Sequence, residues 1–270
     1  MKRMMRSKRG VTSIIATIVI FTVMIGALGL ALSQIVPSME RFQTESDLTA
    51  ATNAFLSFDS EIKNLITTPA NSSSVIRYNL DNGILDLLKD RELFLVVKSG
   101  GEELLNYTCY TGEVVYRLEG NFKGLGGAIY DFGSPILLVY SINRTTQMTN
   151  IVHQTFDNYK LLKLYYSVFL NIEKVSDNKI EINFIIIHLN TTRNFEGQGE
   201  YFPIINTQTK IQITKQSQLL ETYHPGNRSD DLSVEARTIG FSQLIEYPIA
   251  PATFDLTINL IHINIDFRTV

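Results

Sequence analysis

The sequence of 270 residues contains one cysteine, Cys109. One thiol cannot form an internal disulfide, and it cannot build a zinc site that uses several cysteines. The chain is nevertheless long enough to bury a hydrophobic core without covalent crosslinks. We therefore expect Cys109 to be a small buried or half-buried apolar residue.

Outside its first ten positions the chain has no excess of basic residues. Those ten positions hold five of the 24 basic side chains and no acidic one. Residues 11–270 therefore carry 19 basic and 27 acidic side chains, a balance of −8. Because neutralisation of phosphates dominates affinity for nucleic acids, this balance argues against a nucleic-acid partner for the main body.

Motifs that carry catalytic or ligand chemistry are also missing. The glycines at 124–127 lack the lysine of a phosphate-binding loop, there is no Gly-x-Ser-x-Gly elbow, and Asp230-Asp231 lacks the pattern of a calcium loop. The histidines are widely separated and form no metal-binding motif: His153, His188, His224 and His262. We expect no enzymatic activity, no metal and no cofactor, and a structural role for the histidines on predicted strands.

A long segment near the N-terminus lacks charge altogether. The 29 residues from Val11 to Met39 include no Asp, Glu, Lys or Arg, and about 20 apolar residues suffice for a helix to span a bilayer. Basic residues precede this segment, whereas acidic residues follow it at Glu40, Glu45 and Asp47. The positive-inside rule then predicts a cytoplasmic N-terminus, a single span over about 11–35 and the rest of the chain outside the cell.

Three interpretations of this segment remain open. A secretory signal is supported by the small-x-small sequence Ala31-Leu32-Ser33, although the apolar core is longer than in ordinary signals. An uncleaved signal anchor is physically adequate. The third interpretation follows from Lys8-Arg9-Gly10-Val11, directly before the long apolar segment. This sequence resembles the class III signal peptide of archaeal type IV prepilins.

The resemblance implies that a prepilin peptidase cuts after Gly10 on the cytoplasmic side and leaves the hydrophobic helix on the mature protein. Many bacterial pilins carry a glutamate at the fifth mature position, where this chain has Ile15. Archaeal members often lack that glutamate. The difference favours an archaeal relative, in which apolar packing alone would set the register between subunits.

Beyond the span the helix is expected to continue to about residue 66, with a kink at Pro37. No glycine or proline lies in 41–66, and Thr67-Thr68-Pro69 is a stop signal. Apolar residues at 3-4-3-4-3 spacing form one helical face: Leu48, Ala51, Phe55, Phe58, Ile62 and Leu65. This packing seam is expected either to contact the chain's own head or to pack partly between subunits.

From about Val75 onward the apolar residues alternate, as in strands. Alternation over 162–172 predicts one long strand, which the turn Ser176-Asp177-Asn178 makes part of a hairpin over 160–189. A change of parity at Leu260/Ile261 predicts a β-bulge in a C-terminal strand. Segments 193–208 and 222–238 are expected to be surface excursions, although the first could hold a short strand. Shorter strands are predicted at Leu93–Val97, Val114–Leu118, Pro135–Ile142 and Ile211–Thr214.

These patterns predict an α+β protein. A basic leader (1–10) and a long N-terminal helix (11–66) precede an extracytoplasmic head (67–270), which is an antiparallel β-sandwich or barrel of eight to ten strands. The stretches Tyr116–Gly120 and Gly126–Tyr130 are similar to a segment of archaeal pilin-like membrane proteins of unknown function. Five sequons are candidate N-glycosylation sites: Asn71, Asn106, Asn143, Asn190 and Asn227.

Taken with the resemblance, the sequence predicts a pilin-like subunit, major or minor, of an archaeal cell-surface filament. The expected partners are the membrane, the prepilin peptidase and sister pilins that contact the N-terminal helix. The alternative is a permanently anchored extracellular binding or adhesion module that recognises a surface-layer protein, a glycan or a peptide and does not polymerise.

Overall fold

We analysed a computed structural model of the chain. It describes residues 5–78, 82–120, 122, 128–140, 148–191, 200–203, 209–238, 241–249 and 253–269. The chain divides into two compact units, Met1–Asp47 and Leu48–Val270. One helix, α1 (Met5–Ile66), supplies the described part of the first unit and the beginning of the second.

The first unit is helical from Met5 and is apolar on all sides over residues 15–39. The helix begins within the predicted leader and continues through Pro37. Every large apolar side chain from Ile15 to Met39 is between 49% and 71% exposed. Among the described residues, this is the one helix that is long and apolar enough to cross a membrane. A helix that is hydrophobic all round belongs in an apolar environment.

In the second unit, residues 48–66 of α1 bury one face in the head. Leu48, Ala51, Phe55, Phe58, Ile62 and Leu65, which form the predicted seam, are each at most 7% exposed and belong to one core cluster. The helix ends at Ile66, three residues before Pro69, as the stop signal predicts. The Lys215 Nζ donates to the carbonyl oxygens of Ile66 and Thr68, both at 2.8 Å. A cation at this end also complements the helix dipole.

The remaining described elements are fourteen strands, more than the eight to ten predicted. They are β1 (Ser73–Tyr78), β2 (Ile84–Ser99), β3 (Glu102–Glu119), β4 (Ala128–Phe132), β5 (Leu138–Tyr140), β6 (Thr149–Thr155), β7 (Tyr159–Tyr166), β8 (Val168–Ser176), β9 (Lys179–Thr191), β10 (Glu200–Pro203), β11 (Thr209–Arg228), β12 (Leu232–Thr238), β13 (Phe241–Tyr247) and β14 (Phe254–Thr269).

These strands form two sheets, and residues 48–66 of α1 pack against residues of both. The first sheet has the order β1-β11-β14-β9-β8-β5, and the second has the order β13-β12-β2-β3-β7-β6-β4, with β10 paired to β2. Both sheets are curled, as half-barrels are. Pairing is antiparallel except between β14 and β9 and between β5 and β8. The fold is therefore α+β with a mostly antiparallel head.

The predicted long strand over 162–172 is wrong, because the chain changes sheet at Ser167. Strand β7 lies in the second sheet and β8 in the first. The Ser167 amide donates to the carbonyl of Met148, and its hydroxyl donates to the carbonyl of Ile136. Alternate residues stay buried through this corner, so the pattern in the sequence shows no break there. Only β8 and β9 form the predicted hairpin, around Asp177-Asn178.

The predicted bulge at Leu260/Ile261 is also wrong. Strand β14 pairs with β9 from Asp255 to Phe267 without a register shift. The parity changes because the two halves of β14 face different cores. Leu256, Ile258 and Leu260 belong to a second core cluster, whereas Ile263, Ile265 and Phe267 belong to the cluster that contains the helix. Residues of opposite parity on a regular strand lie on opposite faces.

The two sheets approach closely at Gly112 on β3. A Cβ atom at this glycine would lie 2.1 Å from the carbonyl oxygen of Leu189 on β9. Cys109 and Val114, on either side of the glycine, belong to different core clusters. The burial of Cys109 agrees with the expectation from sequence. A side chain at position 112 would force the backbones apart.

Two of the remaining segment predictions need correction. Residues 222–238 are not a surface excursion, because they contain the end of β11 and all of β12. Within Pro135–Ile142 only Leu138–Tyr140 is strand, and 141–142 lie outside the described residues. Segment 193–208 contains β10, and the other three predicted strands lie within β2, β3 and β11.

We predict that Phe55→Ala destabilises the head by about 3–5 kcal/mol, because it empties a fully buried site of an aromatic ring. Chemical denaturation of the full chain in detergent, followed by circular dichroism, measures the change. The matched control is Leu56→Ala, since the adjacent Leu56 is 38% exposed. Equal losses for the two variants would contradict the burial of this helical face.

Candidate functional site

Three hydroxyl groups on the exposed part of α1 donate hydrogen bonds to backbone carbonyls of the same helix. Thr22 Oγ1 donates to the carbonyl of Ile18 at 2.9 Å, and Ser33 Oγ donates to that of Leu30 at 2.8 Å. Ser38 Oγ bonds Ile35 in the same way. Because these donors are satisfied within the helix, the three hydroxyls can enter an apolar medium without losing hydrogen bonds.

The predicted peptidase positions lie at the start of this helix. Lys8, Arg9, Gly10 and Val11 have helical backbone. Glycine in a helix interior costs about 1 kcal/mol relative to alanine. Gly10 therefore lowers the free-energy cost of unwinding the first turns of the helix.

The predicted packing seam is occupied by the chain's own head. All six seam residues belong to the first core cluster, together with residues from both sheets. The opposite face of this part of the helix is exposed and mostly polar: Asn53, Leu56, Ser57, Ser60, Lys63 and Asn64. An apolar seam toward a second subunit is thus not available over residues 48–66.

A buried carboxylate fixes the helix to the head, and sequence reasoning missed it. Asp59 is 5% exposed, and its carboxylate accepts hydrogen bonds from Thr149 Oγ1 at 2.6 Å and from the Tyr166 hydroxyl at 3.1 Å. Lys63 Nζ lies 2.7 Å away, one turn along the helix. Burial and the carboxylate raise the pKa of Tyr166 well above its usual value. The signal was present in the sequence, because Asp59 is four residues after Phe55 and three before Ile62.

The structure brings two of the separated histidines together. His188 on β9 and His262 on β14 share a face, because parallel pairing sets His262 opposite Ile186, two residues from His188. His188 Nε2 and His262 Nδ1 are 2.9 Å apart. His188 Nδ1 lies 3.0 Å from the carbonyl oxygen of Tyr110, and His262 Nε2 lies 3.3 Å from the hydroxyl of Tyr107.

These contacts define one direction of hydrogen bonding. A carbonyl only accepts, so His188 Nδ1 donates to Tyr110 and its Nε2 must accept from His262 Nδ1. His262 Nε2 then accepts from the Tyr107 hydroxyl. This chain is complete when both rings are neutral. A proton added at His188 Nε2 would face the N–H of His262, so His188 resists protonation.

Electrostatics act in the same direction. Burial lowers the pKa of His188, although its bond to Tyr110 opposes the shift. Burial lowers the pKa of His262 too, with a smaller contribution from His188, and Glu221 opposes it. Both rings are therefore neutral at pH 7. No three metal-ligating side chains converge within the described residues.

The other two histidines make separate contacts. His153 Nε2 lies 2.5 Å from the Asp131 carboxylate, and burial lowers the pKa of His153 against the effect of that carboxylate. His224 is exposed, with its Nδ1 3.5 Å from Thr257 Oγ1. Neither one joins the His188–His262 pair.

The candidate glycosylation sites differ in access. Asn71, Asn106 and Asn227 are exposed. Asn190 is half-buried within β9, and its Nδ2 donates to Asn264 Oδ1 at 3.4 Å. Asn143 lies outside the described residues, as do Gly126 and Gly127 of the stretch compared with archaeal proteins.

No protein-family model, curated protein or solved structure matches this chain.

We predict that Asp59→Ala destabilises the head by about 1–3 kcal/mol for each hydroxyl left without its acceptor, those of Thr149 and Tyr166. Lys63→Ala is the control, since Lys63 is 46% exposed and such a pair contributes less than about 1 kcal/mol. Denaturant titration of both variants in detergent provides the comparison. A loss as large for Lys63→Ala would show that the ion pair, rather than the buried hydroxyls, matters.

We also predict that His188 and His262 lower the stability of the head as pH drops below about 6.5. In this range the unfolded histidines bind protons that folded His188 and His262 resist, and each pKa unit of depression corresponds to about 1.4 kcal/mol. His262→Asn should reduce the difference in Tm between pH 7.5 and pH 5.5, whereas His224→Asn should leave it unchanged.

Asp86 acts in the opposite sense. Burial raises its pKa to about 6, so its protonation favours the folded state as pH falls below that value. This contribution is common to the wild type and to both histidine variants, and it cancels in their comparison. An unchanged pH dependence in His262→Asn would contradict the predicted role of the pair.

Proposed function

We propose that this chain is a pilin-like subunit, major or minor, of an archaeal type IV pilus-like surface filament. The observation that carries the proposal is the contrast within α1. Residues 15–39 expose apolar side chains on every side, whereas residues 48–66 bury their one apolar face in the head. The apolar surface of residues 15–39 can then exchange lipid for the helices of sister subunits.

The leader fits the same role. In this proposal a prepilin peptidase cuts after Gly10, at the cytoplasmic side of the membrane, and Val11 becomes the mature N-terminus. Lys8 and Arg9 hold the leader at that side. The head lies outside the cell, where its two half-barrels form a β-sandwich. This arrangement is supported by the second core cluster, which takes residues from both sheets.

A permanently anchored binding or adhesion module is the alternative. It is favoured by the mostly polar outer face of residues 48–66, where Leu56 is the one large apolar side chain that is exposed to a neighbouring subunit. In this case the helix stays in the bilayer, and the head recognises a surface-layer protein, glycan or peptide.

Mass spectrometry of the full-length product from native membranes tests the leader. We expect a mature chain that begins at Val11, and we expect Gly10→Leu to retain the leader. Gly26→Ala is the control, since nothing lies within 4 Å of an added Cβ at that glycine and its cleavage should be normal. A native protein that still begins at Met1 contradicts the prepilin proposal.

Electron microscopy of cells with and without the gene tests polymerisation. Loss of filaments on deletion, restored by the wild type and not by Gly10→Leu, supports a subunit. Filaments that remain unchanged contradict it and favour the anchored module.

A further inference from the structure

Strands β11 and β13 are among the described strands of the head that have an open edge. Strand β1 covers β11 only from Thr209 to Thr214, so residues 217–223 of β11 pair with β14 on one side alone. Strand β13 is the terminal strand of the second sheet and pairs only with β12. Open edges present unpaired backbone donors and acceptors to a further strand.

Both edges carry exposed leucines where a charged residue would block pairing. Residues 216–220 of β11 are all exposed, and Leu219 and Leu220 are 52% and 59% exposed. Leu244 on β13 is 56% exposed. Uncovered apolar residues on an open edge are the features that soluble proteins normally avoid. These two edges are thus suited to pair with another strand.

The two edges also share one sequence pattern. Strand β11 contains Ser217-Gln218-Leu219-Leu220-Glu221, and β13 contains Ser242-Gln243-Leu244-Ile245-Glu246. In an antiparallel pair centred on the two middle leucines, each glutamate lies opposite a serine. The leucines and both serine–glutamate pairs lie on one face, because side chains alternate with period two. This register brings no like charges together, and each carboxylate can accept a serine hydroxyl.

Side-chain hydrogen bonds hold both strands in place within the head. Gln243 Oε1 accepts from the amides of Leu137 and Leu138, at 2.9 and 3.0 Å, and its Nε2 donates to the Leu138 carbonyl. These bonds hold β13 against β5 through a side chain. The Lys215 ammonium group, bonded to the end of α1, fixes β11 where it leaves β1.

We propose that the β11 edge of one copy pairs in antiparallel orientation with the β13 edge of a second copy. Such a contact joins two different surfaces, so each copy keeps one free edge for the next. This inference rests on the proposed filament, because an open series of subunits needs a contact of this kind. It would give the heads a contact that the polar outer face of residues 48–66 does not supply.

Disulfide trapping between full-length copies tests the pairing. Leu219→Cys and Leu244→Cys are made separately, and membranes that contain both are treated with a mild oxidant. Opposed residues of an antiparallel pair have Cα atoms about 4.5–5.5 Å apart, within the range of a disulfide. We expect a crosslinked dimer when the two variants are mixed, and no dimer from either one alone.

Two controls limit the interpretation. Val175→Cys, at a residue that is 54% exposed and away from both edges, should not crosslink to Leu244→Cys. The native Cys109 is buried, and burial raises the pKa of its thiol to about 12, so the wild-type chain should stay monomeric on the gel. Crosslinking of Leu219→Cys to itself, or none in the mixture, overturns the proposal.

Microscopy of the same samples separates this proposal from that of the filament. Filaments without the mixed crosslink would refute the edge contact and leave the proposed subunit role intact. The mixed crosslink in membranes without filaments would support the edge contact and refute polymerisation.

Discussion

The burial of one apolar helical face in the head is the interaction on which the rest of the structure depends. Phe55, Phe58 and Ile62 fill a core that also contains residues of both sheets. Asp59 adds hydrogen bonds of defined geometry to this packing. The head covers the apolar face of residues 48–66. The apolar side chains of residues 15–39 are exposed and need an apolar environment of another kind. One helix therefore has a part that is packed in the head and a part that exposes apolar side chains.

The two-core arrangement explains where the polar groups of the first sheet lie. On β9, Ile182, Phe184 and Ile186 face the second core, whereas Ile187 and Leu189 face the core that contains the helix. Beyond Ile186 the face that had packed on the second core leaves it. His188 and His262 lie on that face and pair with each other. The hydrogen-bonded pair of half-buried His188 and buried His262 thus follows from strands whose two faces pack on different cores.

The local periodicity of apolar residues predicted those features of the fold that depend only on residues close in sequence. The 3-4 spacing identified the six buried positions from Leu48 to Leu65, because a helical face repeats within a few residues. Alternation located strands but could not say which core covers each face, and so the parity change at Leu260/Ile261 suggested a bulge. At Ser167 the alternation is unbroken although the chain changes sheet. The His188–His262 contact needs parallel pairing of strands whose residues are 74 positions apart, which no local pattern encodes.

In the proposed filament, three hydroxyls of the exposed helix keep their hydrogen bonds when the helix moves from lipid to sister helices. The hydroxyls of Thr22, Ser33 and Ser38 bond to carbonyls of their own helix in either environment. A polar group that had a hydrogen-bond partner in only one of these environments would favour that environment. The difference would be the free-energy cost of an unsatisfied polar group, on the order of several kcal/mol in lipid. With Ile15 where many bacterial pilins have a glutamate, no carboxylate at that position can set the register between subunits. Register between subunits must then come from side-chain shape and from contacts between heads.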